Sequence, residues 1–134
     1  MTEIQKKLFT AATIAQKRAH APYSGAFIGA AVLMTDGQIF SGCNVENASY
    51  GGTVCAERVA IWKSVSEGAA KNIAEILVVS DAPAPWPPCG LCRQVIAEFA
   101  TVDTMVYTTN LTGTMKIFKF SEIFPESFTP DFLK

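Results

Sequence analysis

The chain has 134 residues, 49% of them hydrophobic and 17% charged, with a formal net charge of −1 at pH 7. That is apolar material for one compact domain over residues 1–134, and a second full domain would be cramped. The near-neutral balance gives no electrostatic basis for holding a nucleic acid, and the small basic concentration of Lys6, Lys7, Lys17 and Arg18 reads as the solvated side of a helix.

Ile4, Leu8, Ala11 and Ala15 recur at helical spacing and predict an amphipathic helix over residues 3–19, broken by Pro22, Ser24 and Gly25. The short apolar run Ala26–Met34 suits a strand covered on both faces. Asp36-Gly37 is a hairpin signal, so a second strand over 38–43 should lie antiparallel to the first. Thr53 is the expected N-cap of a strongly apolar helix over 54–67, ended by Gly68 and predicted to be the most buried one. A third strand is expected over 75–80. An ordered loop follows over 81–88, where four of the seven prolines fall. Leu91, Val95, Ile96 and Phe99 trace one face of a third helix. Strands near 104–108 and 115–120 and helical turns near 121–124 and 130–133 complete the order αββαβαββα. The expected class is α/β: three layers, with a five-stranded mixed sheet between helices.

In such sheets the site lies at strand ends where helices begin. Cys55 opens the second helix, and Cys89 and Cys92 flank the start of the third. Helix N-termini favour thiolate over thiol. The opening decapeptide MTEIQKKLFT has no signal-peptide core, and the longest apolar run is too short to span a bilayer. A cytoplasmic location is therefore expected, with no membrane partner and with cysteines kept reduced for metal binding or chemistry. The pair in WPPCGLCRQ (86–94) by itself fits a redox disulfide, half a zinc site, or neither. A redox pair of the thioredoxin kind would follow the first strand of a βαβ unit, whereas this one follows a third strand and a proline loop. Three thiolates from two helix starts leave one position open on a tetrahedral zinc, as a catalytic site requires. Cys43 offers a fourth ligand for a purely structural zinc, although its strand position favours a buried, unligated thiol. Glu57, in the first turn after Cys55, would stand beside any metal there and could move protons between water and substrate.

The residues CAE at 55–57 and PCGLCRQ at 88–94, with PYS at 22–24, GAAV at 29–32 and GCNVENASYG at 42–51, resemble the small, homotetrameric, three-cysteine type of zinc-dependent cytidine deaminase. The likeness runs from the first helix to FTPDFL at 128–133. It implies one Zn²⁺ per chain on Cys55, Cys89 and Cys92, with Glu57 as the catalytic proton carrier. It also implies deamination of free cytidine and deoxycytidine, as in pyrimidine salvage, by a homotetramer whose sites lie near subunit interfaces. Three thiolates leave a divalent zinc with a net negative charge, and the resemblance implies that Arg58 offsets it; Arg93 is a second candidate by its spacing from Cys89. Asn44 and Glu46, at alternating positions past the second strand, are implied to hold the ribose, and the Ala56 amide to read the base edge. The family pattern places a phenylalanine where this chain has Ala26. Phe27, one position later, would point to the opposite face unless a bulge turned it. Phe128 is the other aromatic candidate, since in the family that position reaches into a neighbour's site. Tyr23, Tyr50 and Trp86 are further candidates for the pocket wall, with core packing as the default. His20 reads as a helix-end residue. The departure at Ala26 leaves open a deaminase of the same fold with a different nucleoside substrate. Behind it stand a polynucleotide-editing deaminase, against which the charge balance counts, and a non-catalytic nucleoside-binding protein.

Overall fold

The computed structural model describes residues Met1–Lys134. Helix α1 (Glu3–Gln16) opens on a capping box. The Thr2 hydroxyl accepts from the Gln5 amide at 3.1 Å, and the Gln5 side chain accepts from the Thr2 amide at 2.9 Å. The helix ends at Gln16 rather than at 19 because the chain leaves it to pair with the segment after the second strand. There the His20 amide donates to Asn44 O at 3.0 Å and the Glu46 amide to His20 O at 2.8 Å.

Strands β1 (Ile28–Met34) and β2 (Ile39–Cys43) form the expected antiparallel hairpin. Gly37 takes φ 88° in its turn, and Asp36 accepts from the Gln38 and Ala70 amides. A 3₁₀ turn (Tyr50–Gly52) then leads to α2 (Ala56–Ser66). The N-cap of α2 is Cys55, not Thr53. Val45 and Val54 exchange both backbone hydrogen bonds at 3.0 Å, which keeps the chain extended to residue 54. The Thr53 hydroxyl accepts instead from the Asn47 amide. Ala56, Ala60 and Ile61 of this helix are fully buried, whereas Trp62 is exposed.

Strand β3 (Ile73–Ser80) passes through the proline loop to α3 (Gly90–Phe99), then β4 (Ala100–Asn110), β5 (Met115–Lys119), the short α4 (Phe120–Ile123) and a closing 3₁₀ turn (Pro130–Leu133). The five strands lie in the order β2-β1-β3-β4-β5. Only β3 and β4 run parallel, joined through α3; the other neighbours are antiparallel. Strand β4 begins at residue 100 rather than 104 because Ala100 pairs with Ile73 across a register shift, an edge extension with no apolar periodicity of its own.

Alternating residues divide the core between the two sheet faces. Leu8 and Ala12 of α1 pack with Ala31, Leu77, Val79 and Tyr107 on one face. Helices α2, α3 and α4 pack with Ala30, Val32, Ile76 and Val106 on the other. The chain therefore has the expected three layers. The helix backbone of α2 meets β2 at Gly42, where an added Cβ would stand 2.7 Å from Ala60 N and 2.8 Å from Ala56 O. That close approach fixes the depth at which α2, with Cys55 at its start, sits on the sheet. Replacing Gly42 with Ala should force the two apart and cost about 1–3 kcal/mol of stability. A thermal unfolding curve should show a lowered midpoint, and metal titration of the same protein should show weaker binding.

Candidate active site and metal centre

The parallel strand β3 ends at Ser80, level with Ile28 at the start of β1 and Asn110 at the end of β4. Both α2 and α3 begin at this end of the sheet, so their N-caps, Cys55 and Cys89, are brought together. The two sulfurs lie 3.8 Å apart. Cys92, one turn into α3 and fully buried, completes a group whose three sulfurs all lie within 4.8 Å of one another.

This donor set fits zinc. Tetrahedral coordination at Zn–S distances near 2.3 Å places sulfurs about 3.8 Å apart. No disulfide is formed, so the pair at 89 and 92 is not a closed redox bridge. Cys43 stands outside the group and serves as a half-buried strand residue. The Cys55 sulfur caps no amide of its own helix, which leaves it to a ligand. Hydrogen bonding from Cys92 first, and then from Arg58 and Cys89, holds the Cys55 thiol down at about 5. Cys92 is pushed up, because it keeps its proton as the hydrogen-bond donor to Cys55 and because it is buried. Arg58 Nη2 donates to Cys55 Sγ at 3.4 Å, while its guanidinium carbon lies 5.8 Å from the centre of the Trp62 ring. The buried Nε of Arg58 has no partner.

The sulfurs of Cys55 and Cys89 line a cavity of about 420 Å³ together with Ala26, Ile28, Asn44, Glu46, Ala56, Glu57, Val78 and Trp86. Glu57 is 4% exposed, and burial, assisted by the negative charge of Cys55, pushes its carboxyl up to about 7. Asn44 is buried and serves the backbone: its Oδ1 accepts from Ile28 N at 2.9 Å and its Nδ2 donates to Ala26 O at 2.8 Å. This clamp takes the place of strand pairing at 26–27, which is why β1 begins at Ile28 rather than Ala26. Glu46 accepts from the Tyr23 amide at 2.9 Å, the Ser24 amide at 3.1 Å and the Ser24 hydroxyl. The Ser24 side chain, then the two amides, lower its pKa. Glu46 also borders an adjoining hollow of about 360 Å³ flanked by Tyr23 and Tyr50, whose rings meet edge to face at 5.8 Å.

Two expected site residues lie elsewhere, and a third, Phe128, was expected at a neighbour's site. Arg93 donates from Nε to Pro88 O at 2.8 Å and from Nη1 to Ile123 O at 2.6 Å, tying down the proline loop instead of offsetting thiolate charge. Phe27 is partly exposed and does not face the cavity, although Ala26 and Ile28 on either side do. No bulge turns it, so alternation directs its ring away. Phe128 stacks on Phe132 at 5.5 Å and does not line the cavity of its own chain. The aromatics given core packing as a default, Tyr23, Tyr50 and Trp86, are all exposed. Ser24, the tether of Glu46, was not singled out from the sequence as a site residue. Its signal was the PYS motif, read there only for resemblance.

The model for the cytidine and deoxycytidylate deaminase zinc-binding region matches residues 2–109. The chain belongs to this family. It is 46% identical to the cytidine deaminase of Halalkalibacterium halodurans over 95% of this chain and 96% of that protein. The crystal structure of a cytidine deaminase from Burkholderia pseudomallei superposes with a TM-score of 0.87, at 40% identity, over 96% of this chain and all of that one. A cytidine deaminase structure from Mycobacterium tuberculosis gives a TM-score of 0.80 at 32% identity, covering 92% of this chain and 96% of that one. The zinc-binding region of this deaminase family thus coincides with the three-cysteine cluster.

Arg58 is the one guanidinium placed on a thiolate of the cluster. Its replacement by Gln should lower zinc affinity about 10- to 100-fold, as loss of a ligand's outer partner does. Competition with a chromogenic chelator measures this directly.

Proposed function

We propose that this protein hydrolyses free cytidine and deoxycytidine to uridine and deoxyuridine, releasing ammonia, with one zinc ion per chain held by Cys55, Cys89 and Cys92. The observation that carries the reading is a buried carboxyl, Glu57, beside three convergent sulfurs at a cavity of about 420 Å³ with aliphatic walls and the polar groups of Asn44 and Glu46. Bound zinc supplies Lewis acidity, which brings the pKa of water near neutrality. Glu57 takes one proton from water and passes it to the pyrimidine ring nitrogen, then takes the second from the hydroxyl added to the ring and passes it to the departing amine, so both transferred protons come from the one water. Its elevated pKa, near 7, suits a group that must both accept and donate near neutral pH. Arg58 offsets the charge of the thiolates through Cys55. The Ala56 amide, at the first turn of α2 and lining the cavity, reads the base edge.

Glu46 meets the sugar hydroxyls with the lone pairs that Tyr23 and Ser24 leave free. Asn44 contributes its remaining N–H and holds Ala26 and Ile28 in place. A second reading, a related nucleoside with a bulkier base, is favoured by the methyl of Ala26 on the cavity wall. The exposed apolar side chains Phe128, Phe132 and Leu133 support burial in a homotetramer, with Phe128 beside a neighbour's site. No helix is long and apolar enough to cross a membrane, and we place the protein in the cytoplasm on its free, metal-poised cysteines.

Replacing Glu57 with Gln should leave zinc content unchanged and lower the rate of ammonia release from cytidine by about 10²–10⁴-fold. Normal turnover by that variant would remove Glu57 from the mechanism. An ionised Glu46 beside the sugar repels phosphate, so cytidine monophosphate should be turned over at least about ten-fold less efficiently than cytidine. Equal kcat/KM for the two would contradict the sugar-side placement of Glu46.

A further inference from the structure

Trp86 contributes the only aromatic ring that this chain gives to its own cavity, the one that holds Cys55, Cys89 and Glu57; the remaining apolar lining is aliphatic, from Ala26, Ile28, Val54, Ala56, Val78 and Pro87. Its indole is 49% exposed, so a large part of the ring is open to be covered. The backbone that carries it is held on both sides. Pro85 and Pro87 flank it, with Pro83 and Pro88 just beyond, and Pro85 and Pro88 are buried while Trp86 and Pro87 are not. Asn110 Nδ2 donates to Pro83 O at 2.8 Å, and Arg93 Nε donates to Pro88 O at the same distance. Proline fixes φ and strips the loop of amide donors, so little backbone freedom remains to be lost on binding.

A planar, weakly polar heterocycle in this cavity gains most from a ring that can lie against its face. The aliphatic walls offer edges and methyl groups, and Phe27, which sits between the wall residues Ala26 and Ile28 in the chain, points elsewhere. We propose that Trp86 is the specificity-determining stacking residue of this site, a rigidly presented indole against which the substrate's base is held while Glu57 acts on it. The proposal rests on the nucleoside reading above for the identity of the base. It assigns Arg93 and Asn110 a positioning role, as the two tethers that keep the indole in place.

The test compares native protein with Trp86→Ala and Trp86→Phe, each checked for zinc content and circular dichroism. Base–aromatic stacking contributes about 1–3 kcal/mol by alanine substitution, so Trp86→Ala should raise KM for cytidine about ten-fold or more with kcat little changed, the mark of lost uniform binding. Trp86→Phe, which keeps an aromatic face, should restore most of the affinity. Binding is read independently of turnover by indole fluorescence. The chain has two tryptophans, so saturable quenching by uridine in the native protein should disappear in Trp86→Phe, where Trp62 alone remains. Quenching that persists in Trp86→Phe, no quenching at all, or an unchanged KM in Trp86→Ala would overturn the proposal. Failure of the nucleoside reading is a separate result: native, zinc-loaded protein that releases no ammonia from cytidine or deoxycytidine.

Discussion

Two helices begin at the same end of one sheet, and the sulfur atoms at their N-caps lie 3.8 Å apart. Everything else at the site depends on keeping that separation. Three thiolates on one metal ion would repel one another, and helix N-termini alone do not hold them together. What fixes them is the depth of α2 on the sheet at Gly42, the crossover from β3 to β4 through α3, and the guanidinium of Arg58 on Cys55. With those in place, Glu57 is carried into a buried position by the same helical turn that presents Cys55, and burial raises its pKa. The carboxyl proposed as proton carrier and the sulfur proposed as metal ligand are therefore both placed by one helix start.

A second set of constraints shapes the cavity beyond the sulfurs. Asn44 clamps the entry to β1 through Ala26 O and Ile28 N, so the chain there is held by a side chain rather than by a neighbouring strand. Ser24 and Tyr23 hold Glu46 as an anion at the border of the two hollows. Arg93 and Asn110 do the same for the loop on the opposite side. These polar groups bond first to the backbone of loops, and only their remaining capacity faces the cavity. The walls are thus ordered before any ligand arrives, which limits the entropy lost on binding.

Much of this was legible in the chain itself. The order of elements follows from apolar periodicity, Asp36-Gly37 and the proline-rich segment. The convergence of Cys55, Cys89 and Cys92 is suggested by their places at helix starts, and the family resemblance implies their role as ligands. Boundaries were less legible, because they are set by partners distant in sequence. Helix α1 ends where His20 finds Asn44 and Glu46, α2 starts after Val54 finds Val45, and β4 lengthens because Ala100 finds Ile73. Arg93 shows the same limit within the site. Its spacing from Cys89 permits a thiolate contact, but a long side chain takes whichever acceptors the fold brings near, here Pro88 O and Ile123 O.

Residue types and their spacing determined the class of fold and singled out the candidate metal ligands and proton carrier, because those depend on local helix geometry and on intrinsic side-chain chemistry. Which side chains face the cavity was decided only by the tertiary structure. Ala26 and Phe27 are adjacent in the chain, and alternation says merely that they diverge. The packing of β1 against β3 and the Asn44 clamp choose the methyl for the cavity and turn the ring away. That choice leaves the aromatic surface of this chain's own cavity wall to Trp86, about 200 Å of extended chain from either, in a loop whose place against the site exists only once β3 and α3 have packed.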